Sequence, residues 1–147
     1  MPRSLIFAPC DNVLLGQDNS VSLIQVLTQI VVSGTVPDPL PENAGSPMRW
    51  FIFSQWEVFP EEVGVTFQQR LQIADDARVF YEAFSDFIPE AGKNVHRLIG
   101  ALSFFPLIPG GKYRLRLAVR RAGDENPWQD AAEYPLEIIY RHIAVPA

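Results

Sequence analysis

The segment VGVTFQQRLQI, residues 63–73, alternates between apolar and polar side chains along its whole length. One side of an extended chain would carry the apolar residues of this segment, with Gln69 as the single polar exception. The other side would carry Thr66, Gln68, Arg70 and Gln72. A period of two over this length predicts a β-strand that turns one face toward a core and the other toward solvent.

Similar runs, rich in Phe, Trp, Tyr, Val and Ile, follow one another along the chain, and turns rich in Gly, Pro, Asp and Asn separate them. The runs lie at residues 5–8, 11–15, 21–32, 49–59, 78–87, 96–105, 112–121 and 132–141. About eight short strands with turn signals between them predict an all-β, two-layer antiparallel β-sandwich. Residues 1–147 have the length of a single domain.

Two segments leave alternatives open. Residues 78–87 fit a helix with one apolar stripe or a strand, and we favour the strand because the neighbouring runs resemble hairpins. Residues 34–47 are rich in proline and lack a periodic pattern. We interpret them as an exposed connection between the two sheets, and the alternative is a proline-rich ligand segment.

The stretch LIPGGKYRLRL, residues 107–117, resembles the E–F corner of fibronectin type III and other immunoglobulin-like domains. The resemblance implies that the hydroxyl group of Tyr113 donates a hydrogen bond to the backbone of the corner. A plain Pro-Gly hairpin turn is the alternative. The sandwich is therefore expected to be of the immunoglobulin or fibronectin type III kind.

Arginines alternate with apolar residues in the run after Tyr113. If the following hairpin is centred on residues 125–127, Arg116 lies opposite Glu137 and Arg120 lies opposite Glu133. Each such exposed pair contributes about 0.2–1 kcal/mol to a sheet. We prefer this structural role to the alternative, in which the row of arginines binds an anion.

The order of features along the whole chain is similar to that of an uncharacterised bacterial family of short β-sandwich proteins. The stretches that carry the resemblance are LIFAPCDNV at 5–13, SLIQVL at 22–27, the proline-rich loop, the Trp-bearing run, FQQRL at 67–71 and PGGKYRL at 109–115. These motifs are structural, so the resemblance implies a sandwich fold and supplies no catalytic residue or ligand.

The net charge of −5 and the pI near 4.9 argue against a nucleic-acid partner and against docking on an anionic membrane. No apolar run approaches the roughly 20 residues of a membrane span. The run after Arg3 is also too short for a secretory signal peptide. Cys10 is the only cysteine, which fits a reducing compartment. We therefore expect a soluble, cytoplasmic protein.

Residues for catalysis are sparse. The histidines are His96 and His142, and a Cys10–His96–Asp11 site is the only nucleophilic arrangement that the sequence suggests. Too few His and Cys residues are present for zinc, and no phosphate-binding loop occurs. We expect no enzyme activity and no cofactor.

Acidic residues in predicted turns offer one alternative. The pairs are Asp18-Asn19, Asp75-Asp76 and Asp124-Glu125, and loops at one end of a sandwich can bind calcium. Ordinary turn chemistry also explains these residues. The alternative function is thus a small-molecule or carbohydrate binder, calcium-dependent or not, that uses loop acids and tryptophans.

Aromatic residues supply the remaining signal. Trp50, Phe51, Phe53 and Trp56 alternate sides within one run and cannot all enter one core. Either both faces of this strand are covered, which we favour, or one face is a patch for a partner. We take these four residues as the candidate interaction surface. The favoured function is a non-enzymatic binding or assembly module that binds a protein partner or a second copy of itself.

Overall fold

A computed structural model describes residues 1–34, 39 and 44–141. The elements are β1 (Arg3–Leu15), β2 (Val21–Val26), β3 (Gln29–Ser33), β4 (Gly45–Glu57), a 3₁₀ turn (Pro60–Glu62), β5 (Phe67–Ala74), β6 (Val79–Phe87), β7 (Val95–Pro106), β8 (Gly111–Arg121) and β9 (Gln129–Arg141). Residues 35–38 and 40–43, most of the predicted proline-rich connection, and residues 142–147 with His142 lie outside the described residues.

The strands form two sheets, with the orders β2-β1-β4-β7 and β3-β9-β8-β5-β6. The prediction of an all-β, two-layer fold is confirmed. The prediction that all strands pair in antiparallel fashion was wrong for one pair, because β3 runs parallel to β9, with Gln29 opposite Glu137. The described residues form nine strands rather than about eight: the runs 5–8 and 11–15 join in β1, and the run 21–32 divides in two.

Strand β5 shows the predicted alternation. Phe67, Leu71 and Ile73 are buried, and Arg70 lies on the opposite face, where its guanidinium stacks on Trp128. The strand pairs with β6 on one side and β8 on the other. The ambiguous segment 78–87 is strand β6, so the interpretation as a strand is confirmed.

The run 21–32 was predicted as one strand, and this was wrong. Gln25 has a positive φ of 50°, and the chain then crosses from one sheet to the other. The N–H of Leu27 donates to the carbonyl of Pro9 in β1 (2.9 Å), and the carbonyl of Thr28 accepts from the N–H of Glu137 in β9 (3.0 Å). A strand that hydrogen-bonds to both sheets has to bend between them. We call this edge, where residues 27 and 28 join the sheets, the closed side.

Two apolar clusters fill the space between the sheets. One surrounds Trp50 and the other surrounds Trp56, and each contains side chains from both sheets. Full burial of a side chain such as Leu115 or Leu117 contributes roughly 1.5–3 kcal/mol. The core therefore extends along both strands β4 and β8.

The turn between β7 and β8 is fixed by two tyrosines. The hydroxyl of Tyr113 donates to the carbonyl of Pro109, which is the hydrogen bond expected of the corner. The hydroxyl of Tyr140 donates to the carbonyl of Ile108 (2.7 Å). Burial is the main cause that raises the pKa of both phenols, so both stay protonated as donors near neutral pH.

The predicted register of β8 and β9 was wrong by four residues. Arg116 lies opposite Glu133, and Glu137 lies opposite Lys112. The turn is centred earlier than expected, since Gly123 has a positive φ of 129° and the N–H of Asn126 donates to its carbonyl (3.1 Å). A bulge between Leu117 and Ala118 shifts the register further.

In the part of the chain that the structure describes, no helix is long and apolar enough to cross a membrane.

Candidate binding site

The candidate interaction surface is not at the surface. Trp50, Phe53 and Trp56 are 0% exposed and Phe51 is 9% exposed. Trp50 and Trp56 point between the sheets, where their indole N–H groups donate to the carbonyl of Phe104 (2.8 Å) and to Oε1 of Gln69 (3.0 Å). The burial agrees with the favoured interpretation of a strand covered on both faces, and the candidate surface, which depended on an exposed patch, is not exposed.

Phe51 and Phe53 lie on the face of β4 away from the core, and the turn of the β1–β2 hairpin is held against that face. Arg97 of β7 is paired opposite Gln55 of β4. The guanidinium of Arg97 donates to Gln55 Oε1 (3.1 Å) and to the carbonyl of Asn19 in the hairpin turn (2.6 Å). The outer face of the sheet is thus in contact with the hairpin turn beside Gln55.

The edge of the sandwich formed by β6 and β7, which we call the open side, is built differently from the closed side. Each strand is the last of its sheet. Aromatic contacts join the two strands near both ends, with ring centroids 5.9 Å apart for Tyr81 and Phe104 and 5.0 Å apart for Phe87 and His96. Between these contacts lie the small residues Ala83 and Ser85 of β6 and Gly100 of β7, the last flanked by Leu98 and Leu102.

Those small residues leave a slot of about 250 Å³ between the two strands. Ala83 and Ser85 of β6 line one wall, and Gly100 of β7 lines the other. Core residues form its floor, among them Ile52 and Leu71. The slot is a little smaller than the roughly 300–1,000 Å³ of typical small-ligand pockets, so it suits one side chain or a fragment of similar size.

Gln69 supplies a polar group at the slot. It is 8% exposed, and its Oε1 accepts hydrogen bonds from Ser54 Oγ and Trp56 Nε1, both at 3.0 Å. These bonds join the two sheets across the core, because Ser54 and Trp56 belong to β4 and Gln69 belongs to β5. A buried amide is retained at low cost only when it is hydrogen-bonded.

The two free edges of the open side differ in charge. Residues 98–105 of β7 include no charged side chain, and Ile99 and Phe104 are about 40% exposed (41% and 39%). Strand β6 carries Glu82 and Asp86. Charged residues on edge strands oppose pairing with other chains, and long uncharged edges allow it. The edge of β7 is therefore the better template for another strand.

A second aromatic group lies on the outer face of the other sheet. Trp128 stacks on the guanidinium groups of Arg70 and Arg120, which lie 4.8 and 4.2 Å from its ring centroid. Phe84 packs beside it and is 51% exposed. Arg120 also donates to Gln68 and contacts Asp124. Because Arg120 already has protein partners, we interpret the stack around Trp128 as a stabilising contact on the sheet surface.

The Cys10–His96–Asp11 arrangement, which the sequence allowed but did not favour, is not assembled. Cys10 lies opposite Phe51 on β4 and His96 lies opposite Trp56, five positions along the strand, or about 17 Å. Burial, together with the charge of Asp11, raises the pKa of the Cys10 thiol, which keeps it protonated. Burial lowers the pKa of His96, whose ring stacks on Phe87. Neither residue is arranged for nucleophilic catalysis.

The acidic residues that the sequence offered as calcium ligands lie in three separate turns. Asp75 precedes β6 and Asp124 follows β8, while Asp18 lies in the β1–β2 turn. Oδ1 of Asp75 accepts from the N–H groups of Ala77 and Arg78, both at 2.8 Å, and these bonds lower its pKa. Among the described residues, no three His, Cys, Asp or Glu side chains are grouped to hold a metal ion.

The slot was missed from the sequence, although one signal pointed to it. Gln69 interrupts the apolar side of the segment 63–73, and a polar residue at a core position needs a partner. The small residues Ala83, Ser85 and Gly100 carry no comparable signal, because only the pairing of β6 and β7 with their neighbours brings them to one edge of the sandwich.

Comparison with known protein families found none that matches this chain, and no curated protein matches it either.

Proposed function

We propose that the chain is a non-enzymatic binding or assembly module with an immunoglobulin-like fold, and that its open side binds an extended strand of a protein partner. Two observations support the immunoglobulin-like assignment. The Tyr113 hydroxyl donates to the backbone of the β7–β8 turn, as in the tyrosine corner. The neighbours β5, β8 and β9 form one sheet, and β4 and β7 pair in the other.

The free edge of β7 is the observation that carries the binding function. Eleven residue pairs join β7 to β4, and its other side pairs with no strand in the described chain. Extended peptides add to such edges through main-chain hydrogen bonds, and pockets for alternate side chains provide specificity. The slot beside β7 is one such pocket, and its polar side chains, the amide of Gln69 and the hydroxyl of Ser85, carry no charge. The open side is thus equipped for recognition rather than acid–base chemistry.

Selection of random peptides displayed on phage against the immobilised protein tests this proposal. We expect enrichment of peptides with alternating apolar residues on the native chain. The variant Ala101→Lys, Ser103→Lys places two charges on the β7 edge and is expected to lose these peptides. The control Ser22→Lys, on an exposed position of β2, is expected to retain them.

Sedimentation velocity of the same three proteins then shows whether a second copy is the partner. A dimer of the native chain that the β7 variant abolishes supports assembly through this edge. Absence of enriched peptides together with a strict monomer, or binding that the β7 variant leaves unchanged, would contradict the proposal.

A further inference from the structure

The orientation of the Gln69 amide defines what the slot can bind. An indole N–H is a donor only, so the group that faces Trp56 Nε1 has to be the amide oxygen. Ser54 Oγ donates to the same oxygen. The two bonds fix the side chain, and the amide nitrogen must point the other way.

The amide nitrogen of Gln69 carries two N–H groups that can still donate hydrogen bonds. Within the described residues no hydrogen bond engages Nε2 of Gln69, and this atom keeps some exposure to solvent. Gln69 lines the slot and its oxygen is engaged by Ser54 and Trp56, so the N–H groups are the part of the amide left to face the slot. A group that enters the slot without an acceptor would leave these donors unpaired, which is unfavourable for a buried polar group.

We infer that the slot accepts one uncharged, largely apolar group bearing an acceptor oxygen, and that Gln69 Nε2 donates a hydrogen bond to that oxygen. The inference rests on the proposed function for the source of this group, an uncharged oxygen-bearing side chain of the partner strand. Lys and Arg have no acceptor. A carboxylate would lose its hydration beside an apolar floor, close to a strand that carries Glu82 and Asp86.

A matched pair of small probes tests the chemistry of the slot directly. Acetophenone and ethylbenzene have nearly the same shape, and only acetophenone carries an acceptor oxygen. We expect acetophenone to shift the NMR signals of the Gln69 side-chain amide and of Gly100. We expect it to bind about 2- to 10-fold more tightly than ethylbenzene, the difference that one net hydrogen bond provides.

Two variants locate the effect. Gln69→Glu keeps acceptors for Ser54 and Trp56 but has no N–H, so it should lose the preference for acetophenone. Gly100→Leu fills the slot without touching the amide, and a Cβ at Gly100 has only the carbonyl of Ile52 near it, at 3.8 Å. It should therefore fold normally and lose both probes, which keeps the test informative if the buried Glu prevents folding.

Equal affinity of the native chain for the two probes, or probe binding that survives Gly100→Leu, would overturn the inference. The two proposals fail separately. Peptides that bind along β7 while the probes do not discriminate would overturn the role of Gln69 alone. Probes that discriminate while no peptide or second copy binds would overturn the proposed partner and leave the acceptor site, with a small molecule as its source.

Discussion

The two sides of the sandwich join the same two sheets in different ways. On the closed side the backbone itself crosses, and residues 27 and 28 hydrogen-bond to β1 and β9 respectively. On the open side the backbone crosses only at one end, in the loop 88–94 that joins β6 to β7. Along the two strands, aromatic rings meet at two points in the described residues. Backbone hydrogen bonds fix the spacing of the sheets, whereas isolated ring contacts leave room for a slot. We therefore expect the closed side to contribute more to stability than the open side, where we propose that a partner binds.

A matched pair of isoleucines tests this comparison with the largest expected effect. Ile30 of β3 on the closed side is 1% exposed, and Ile99 of β7 on the open side is 41% exposed. Ile30→Ala should lower the free energy of unfolding by about 2–5 kcal/mol because it leaves a cavity. Ile99→Ala should lower it by less than about 1 kcal/mol. Urea denaturation followed by tryptophan fluorescence measures both, and similar losses would break the comparison.

A matched pair of tyrosines is the next test. Tyr113→Phe removes the donor to the Pro109 carbonyl, so the free energy of unfolding should fall by about 1 kcal/mol. The hydroxyl of Tyr81, in β6 on the open side, makes no hydrogen bond with the described residues, and Tyr81→Phe should be nearly neutral. Thermal unfolding of both variants decides this point. A larger loss for Tyr81→Phe would mean that the open side is fixed as firmly as the corner.

The sequence was sufficient for most of the strands, though not for the break within 21–32, and insufficient for the pairing. Alternation identified β5, and Tyr113 identified the corner, because both signals are local. The register of β8 and β9 is not local. A slip of four residues keeps every side chain on its original face, so the pattern of Arg116 and Glu137 cannot distinguish the two registers. The turn at Gly123 selects between them, and this selection depends on backbone conformation.

The candidate site shows the same limit. Four aromatic residues in one run indicate that both faces of β4 are apolar, but they do not indicate what covers the outer face. The turn of the β1–β2 hairpin lies at that outer face, where Arg97 binds Asn19, 78 residues earlier in the chain. Contacts over such separations leave no periodic pattern in the sequence, so the buried aromatics could be taken for a surface.

The hairpin offers a smaller effect that sharpens this account. Arg97→Ala removes the hydrogen bond to the Asn19 carbonyl and should loosen the turn, at a cost below about 1 kcal/mol. Cys10 is 0% exposed, so its reaction with a thiol reagent reports opening of the structure around it. We expect faster labelling of Arg97→Ala than of the native chain, with the exposed Lys93→Ala as control. Equal labelling rates would show that Arg97 does not hold the hairpin.

The smallest expected effect is a pH dependence of stability that comes from His96 on the open side. Burial lowers the pKa of His96 below its usual value near 6.5, so the folded chain favours the neutral imidazole. The unfolded chain therefore takes up a proton first as the pH falls. Stability from this group is fully present above the unfolded pKa and is lost as the pH drops through it toward the folded value. Urea midpoints should decline over this range, and His96→Phe should remove that part of the decline.

Residue-resolved NMR of the protein with a peptide selected by phage display shows directly whether the open side binds an extended strand. We expect the largest amide shifts and the strongest protection from hydrogen exchange on residues 98–104 of β7 and on Gln69. Shifts concentrated instead around Trp128, Phe84 and Arg120, on the outer face of the other sheet, would contradict this expectation.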